Sequence, residues 1–367
     1  MIVEIEAAVV RKTGVFDLET VELDEPQPGE VLVKIVATGM CHTDLAVRDQ
    51  HLPLPLPAVL GHEGAGIVIK TGTGVDKVRP GDHVVMSYGS CGVCANCLAG
   101  RPAYCLSFVP YNVGTRRPNG TCTITSHGEP ITACFFYQSS FATYAITHFR
   151  NLVKVPNDLP LDVLAPLGCG IQTGAGAVLN CLRASPGSSI AVFGAGAVGL
   201  SAIMAASVAG CANIIAVDVQ DNRLSLAREL GASTVINAKE TDAVAAVRDA
   251  SSGGTDYAVE ATGIPAVMTQ AFDGLNATGV LVVLGVAPAG ATVNVDASAL
   301  LGGKTIRGAI EGESVPEVFI PRLIALWQAG RFPFDKLARY YTFDQINEAA
   351  RDSERGTAIK PIIRMPA

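Results

Sequence analysis

Residues 188–209, SSIAVFGAGAVGLSAIMAASVA, decide the fold. An apolar strand-like run, 188–193, enters Gly194-Ala195-Gly196-Ala197-Val198-Gly199 and continues into an Ala-rich helical run, 200–209. A strand that turns on glycines into a helix opens a βαβ unit: the first glycine makes the tight turn, the second admits a phosphate to the backbone, and the third lets helix pack on strand. Unpaired amides and the helix dipole then favour an anion at that helix start. A second strand, 214–217, ends in Asp218, close to the ~20-residue spacing of a carboxylate that accepts from ribose hydroxyls. Such a charge repels a 2′-phosphate, so the pattern predicts NAD rather than NADP, held by Gly194, Gly196, Ala197, Val198, Gly199 and Asp218. Arg223 is expected beside the adenine or ribose, with a solvated helix-face charge as its other reading. By itself the glycine run also fits a plain βα turn; the succession of strand, glycines, helix, strand and acid is what carries the cofactor reading.

Around this motif, 171–305 alternates strands with Ala/Leu-rich helices, the texture of a doubly wound parallel sheet. Residues 1–170 read instead as short strands broken by Gly and Pro, an N-terminal one from Met1 and others at 30–37, 64–71, 83–88 and 140–146, which make an irregular β-rich domain. Beyond it, 306–367 carries helix-like stretches at 315–330 and 343–352 and a strand-like one at 358–365. Too short to fold alone, this tail is expected to return and complete the first domain. The fold class is α/β, in two domains.

Composition agrees: 49% hydrophobic and 17% charged residues with 38 glycines suit a compact enzyme-like chain and not a disordered one. A net charge of −7 and the lack of Lys/Arg runs give no footprint for nucleic acid or an anionic membrane. The apolar stretch 194–211 follows a strand and is rich in Gly and Ala, so it reads as buried helix rather than membrane span. The N-terminal sequence lacks a secretory pattern, and a cytoplasmic location is expected.

Four of the ten cysteines, Cys91, Cys94, Cys97 and Cys105, form C-x2-C-x2-C-x7-C in a Gly/Pro-rich loop. Four soft thiolates at that density suit a closed tetrahedral zinc of structural role; disulfides or an iron–sulfur cluster are the competing readings, and spacing does not exclude the cluster. A catalytic metal needs an open position, and Cys41, His62 and Cys169 would leave one. Singly, each of these is more often a core residue than a ligand, and the sequence alone does not bring them together.

Taken together, GHEGAG at 61–66, the four-cysteine loop, APLGCGIQTG at 165–174 and GAGAVG resemble the zinc-containing medium-chain alcohol dehydrogenases over essentially the whole chain. The resemblance implies a GroES-like catalytic domain interrupted by a Rossmann domain. It also implies a catalytic zinc on Cys41, His62 and Cys169, with Glu63 behind it, Asp44 accepting from the other nitrogen of His62, and Thr43 bonding the substrate oxygen. Lys360 matches a basic residue at the NAD pyrophosphate, and Thr173 and Val286 join the cofactor contacts. Leu52, Tyr88, Phe135, Phe136, Val286 and Ile310 would line an apolar substrate slot, ordinary core being the other reading of the phenylalanines.

The stretches GMCHTDLAVRDQ (39–50) and LPLPLPAVLGHEG (52–64) look like the bacterial aryl- or benzyl-alcohol dehydrogenases. Oxidation of a benzyl-type alcohol to the aldehyde, with hydride passing to NAD and two zinc ions per chain, is therefore expected. One departure stands out: Ala46 occupies the position of the family's relay histidine. The proton would leave through Thr43, the ribose and water, or through His42 or His51; His42 is weighted toward the pyrophosphate rather than catalysis. Strands at 279–286 and 304–310 are expected to extend a sheet across a two-fold, giving a homodimer or homotetramer. The rival readings are another primary alcohol, a glutathione–formaldehyde adduct, or a non-catalytic NAD-binding protein of the same fold.

Overall fold

The computed structural model describes residues 3–366; Met1 and Ile2, the start of the expected first strand, lie outside them. The chain forms two compact units. One runs through Cys169 and takes back Val315–Ile324 and the stretch from Asp335 onward; the other comprises Gly170–Ser314 and Ala325–Phe334.

In the first unit a five-stranded sheet has the order Ala58–Val59, Val3–Val10, Asp17–Leu23, Ile124–Ser126, Glu129–Ile131. A second sheet runs Leu152–Val155, His83–Met86, Glu63–Thr71, Glu30–Gly39, Lys360–Arg364, Ala338–Thr342, with Tyr144–His148 also paired to Glu30–Gly39. Glu30–Gly39, EVLVKIVATG, lies in the middle of this sheet and is buried along most of its length, hence its nearly continuous apolar run. Its end pairs Gly39 with Glu63 on one side and with Ile362 on the other. The C-terminal strand thus completes the first unit's sheet and sets residues around 40, 63 and 360 side by side.

The second unit is a six-stranded parallel sheet ordered Thr234–Asn237, Asn213–Asp218, Ser189–Phe193, Thr255–Glu260, Leu275–Val283, Thr305–Gly308. In chain order that is 3-2-1-4-5-6, with the reversal beside Ser189–Phe193, where such sheets bind ligands at the strands' C-terminal edge. Phe193, Val217, Phe272 and Leu281 belong to its core.

Some expected boundaries are corrected. A division at 305/306 would cut Thr305–Gly308 from its partner Leu275–Val283, to which it is bonded from Val280↔Thr305 to Val283↔Gly308, so this unit extends to Ser314. The strand expected at 140–146 lies at Tyr144–His148, because the ladder with Glu30–Gly39 ends at Lys34↔Tyr144 while Phe141 and Thr143 are bonded to Ala8 and Glu6 of the other sheet. The 83–88 strand ends at Met86, the 315–330 helix is Pro316–Gln328, and 343–352 is a 3-10 turn followed by the helix Ile346–Arg355. No helix among the described residues is long and apolar enough to cross a membrane.

Candidate active site and metal centres

Cys41 stands between the strand Glu30–Gly39 and the short helix His42–Arg48, His62 immediately precedes Glu63–Thr71, and Cys169 follows the turn Ala165–Gly168. Since the two strands are neighbours, Cys41 and His62 are brought together by sheet register. Gly61 makes the approach to His62 with φ +91°, and a Cβ there would sit 2.5 Å from the Phe141 amide, so only glycine fits. The two sulfurs and an imidazole nitrogen lie within 4.8 Å of one another.

Asp44 organises this cluster. Fully buried, it accepts from His62 Nδ1 at 2.8 Å and Gly61 N at 3.1 Å through Oδ1, and from Cys41 N at 2.9 Å through Oδ2. With Nδ1 donating to Asp44, Nε2 carries the lone pair, and it is buried without a hydrogen-bond partner. An orphaned buried nitrogen costs about 1–3 kcal/mol, and a metal ion between it and the two sulfurs removes that cost. Cys169, and behind it His62, hold the Cys41 thiol well below its usual range although burial opposes this. Burial likewise opposes a charge on His62, but Asp44 and Cys41 outweigh it and raise its pKa well above the ordinary value. The field therefore draws positive charge into the space between sulfurs and imidazole, which suits a divalent cation.

Lys360 requires a correction. Expected at a pyrophosphate, it is only 2% exposed, and its ammonium donates to both Glu63 oxygens at 2.8 Å and to the Met40 carbonyl at 3.3 Å. Three donors meet three acceptors, which leaves none to offer a phosphate. Burial opposes the charges of Lys360 and Glu63 alike; Glu63 keeps Lys360 protonated, while the Glu63 pKa stays raised despite Lys360. Phe135 is core, edge-on to His62 at 5.4 Å, while Phe136 stacks on the same imidazole at 4.5 Å. Tyr88 is also buried, and Leu52 is half-buried against the same cluster. Thr43 Oγ1 lies 3.7 Å from Cys41 Sγ, and His42 and His51 are exposed. Gln138 was not legible beforehand: it donates to the His62 carbonyl at 2.9 Å and accepts from Gly64 N at 3.0 Å, fixing the histidine's backbone. Its position beside Phe135-Phe136 was the only available hint.

The four sulfurs of Cys91, Cys94, Cys97 and Cys105 also lie within 4.8 Å of one another, with Cys94–Cys97 at 3.5 Å and Cys91–Cys97 at 3.9 Å. A tetrahedral ion with bonds of about 2.3 Å sets its sulfurs roughly 3.8 Å apart, whereas a disulfide needs about 2.05 Å. Backbone amides of Cys91, Val93, Cys94 and Ser107 point at these sulfurs. The amides of Leu106 and Cys97 bring Cys94 down to about 6, while burial pushes Cys97 up to about 12. Thiols so close do not ionise together without a cation, and the geometry fits one ion with no open position.

In the second unit Gly194 turns at φ +93°, and a Cβ on Gly199 would collide with the Gly194 carbonyl. A Cβ on Gly196 would meet nothing within 4 Å. The chain itself does not demand glycine there, whereas a group drawn close to the backbone would. Asp218 ends its strand with Oδ2 accepting from Ala195 N at 2.6 Å, and Arg223 lies 4.0 Å away. Thr173 is 3.4 Å from Glu311. Val286 and Ile310 are 67% and 40% exposed, so neither is core.

Residues 27–157 match the alcohol dehydrogenase GroES-like domain and residues 197–328 the zinc-binding dehydrogenase domain. The chain is 44% identical over 362 residues to geraniol dehydrogenase of Castellaniella defragrans, covering 98% of this chain and 97% of that one. Among solved structures, benzyl alcohol dehydrogenase from Acinetobacter calcoaceticus superposes with a TM-score of 0.96 at 50% identity, covering 99% of this chain and all of that one. An alcohol dehydrogenase zinc-binding domain protein from Burkholderia ambifaria superposes with a TM-score of 0.98 at 52% identity, over the whole of both chains.

Proposed function

Because the chain belongs to the zinc-containing medium-chain alcohol dehydrogenases, we propose that it oxidises primary aromatic alcohols of the benzyl type to aldehydes with NAD as acceptor. One observation carries this reading: the unpartnered Nε2 of His62 faces two sulfurs while Phe136 stacks on the same ring, which sets an aromatic wall beside the metal position.

Cys41, His62 and Cys169 would hold a zinc ion, which would supply Lewis-acid charge able to lower a hydroxyl pKa toward ~7, and NAD would supply the hydride-accepting ring. Asp44 fixes the tautomer that leaves Nε2 free to bind the metal. Thr43 presents a hydroxyl beside Cys41 that accepts the substrate's hydroxyl proton while releasing its own. Ala46 has no group to pass that proton on, so it leaves through water or the exposed His42 or His51. Gly196 leaves room for the pyrophosphate, and Asp218 accepts from the adenosine ribose. The four-sulfur loop holds a second, structural zinc. The cytoplasm is the proposed location, and no two cysteines among the described residues are joined by a disulfide. Thr305–Gly308, the outer strand of its sheet, offers an edge for pairing in a homodimer or homotetramer.

A second reading is favoured by the likeness to a geraniol dehydrogenase. Geraniol, like benzyl alcohol, bears its carbinol carbon on an sp2 carbon, so the selected feature could be that unsaturation rather than a ring. Turnover of benzyl alcohol, geraniol and hexanol with NAD and NADP, alongside metal analysis, tests both. The expected result is two zinc ions, NAD preference and highest kcat/KM for benzyl alcohol. Geraniol in first place supports the allylic reading, and hexanol matching either rejects both.

A further inference from the structure

Glu260 ends the strand Thr255–Glu260, on the opposite side of Ser189–Phe193 from Asp218. Two carboxylates thus flank the glycine turn at the same sheet edge. Asp218 keeps some exposure, whereas Glu260 is fully buried. Its Oε1 accepts from Thr262 N at 2.6 Å, from Gly263 N at 3.1 Å and from the Thr262 hydroxyl, and its backbone carbonyl accepts from Leu284 N at 2.8 Å and Gly285 N at 3.2 Å. Burial raises its pKa, and the Thr262 and Gly263 bonds only partly offset this.

The joined segments are packed to backbone contact. A Cβ on Gly263 would lie 2.6 Å from the Val286 carbonyl, one on Gly285 would lie 2.9 Å from Glu260 Oε2, and one on Gly194 would lie 2.8 Å from Thr262 Cγ2. Above the buried carboxylate the rim is open: Thr262 is exposed, and Ile264 and Val286 are 53% and 67% exposed. Apolar side chains held rigidly at the C-terminal edge of a parallel sheet are placed for a ligand ring to cover them. Each half of such a sheet takes one mononucleotide. With Asp218 on the adenosine half, this rim belongs to the nicotinamide half.

We propose that Glu260 is a positioning residue for the nicotinamide half of the cofactor: its carboxylate fixes the 261–264 turn and packs against Gly285 of the segment that its own backbone carbonyl binds, so that Ile264 and Val286 meet the nicotinamide riboside, without touching it itself. This rests on the dinucleotide reading above. Calorimetric titration of Glu260→Gln and Thr262→Val with NAD and with AMP tests it, on protein checked for zinc content and thermal midpoint. Glu260→Gln should weaken NAD about tenfold while AMP stays within about twofold, with KM for NAD rising more than kcat falls. Thr262→Val keeps the shape and removes one donor; it should lose NAD affinity by about threefold and serves if Glu260→Gln does not fold. Unchanged NAD affinity in the variants, or equal loss of NAD and AMP, overturns the proposal. Wild-type protein that binds neither nucleotide would instead fail the dinucleotide reading itself.

Discussion

The two cysteine centres use one ligand chemistry in opposite settings. Cys91, Cys94, Cys97 and Cys105 fall close together in sequence, in a lobe whose Val93, Leu98 and Leu106 are exposed, and backbone amides surround their sulfurs. Cys41, His62 and Cys169 come from three distant segments, and what surrounds them is a network of buried side chains, Asp44, Glu63, Lys360 and Gln138. On the proposed zinc reading, a closed set of four sulfurs compensates for a missing core, while an open set of two sulfurs and an imidazole is held by a core already complete. Metal loss should therefore unfold one region and silence the other.

The largest effect is expected from Cys169→Ala: kcat/KM for benzyl alcohol should fall by roughly a thousandfold or more, with one zinc of two retained and the thermal midpoint lowered by no more than roughly 5 °C. A variant that keeps both ions breaks the contrast. Cys97→Ala should do the reverse, losing the other zinc and lowering the thermal midpoint by roughly 10 °C, with activity surviving below that temperature. Scanning calorimetry beside initial rates reads this, and an unaltered midpoint would deny the lobe its structural dependence on metal. Asp44→Asn should weaken zinc at the three-ligand site about 10–100-fold and leave the four-sulfur ion in place, as competition with a chelator would measure. The smallest expected change is in Asp218→Ala, where the preference for NAD over NADP should relax by about tenfold. Identical discrimination would mean that another carboxylate faces the ribose.

Legibility in the sequence followed the same divide. The glycine turn and the four-cysteine loop are local, so order and spacing alone proposed them. Cys41, His62 and Cys169 became a set only through resemblance, because sheet pairing such as Gly39↔Glu63 brings them together and leaves no periodic trace. Lys360 was misplaced for a related reason: its charge reads as exposed until the C-terminal strand is laid beside Gly39 and buries the ammonium on Glu63. The division at 305/306 erred because one strand's membership in a parallel sheet is decided by its neighbour Leu275–Val283 rather than by its own residues. Glu260 gave no signal and Gln138 no more than its place beside Phe135 and Phe136, since a buried polar side chain is recognisable only by the backbone it satisfies.

The central claim is that Cys41, His62 and Cys169 hold one zinc ion apart from the four-sulfur site. An anomalous-difference map collected at the zinc edge tests it directly. Two peaks per chain are predicted, one of them about 2.3 Å from the Cys41 and Cys169 sulfurs and about 2.0–2.1 Å from His62 Nε2. A single peak, confined to the four-cysteine loop, would contradict it.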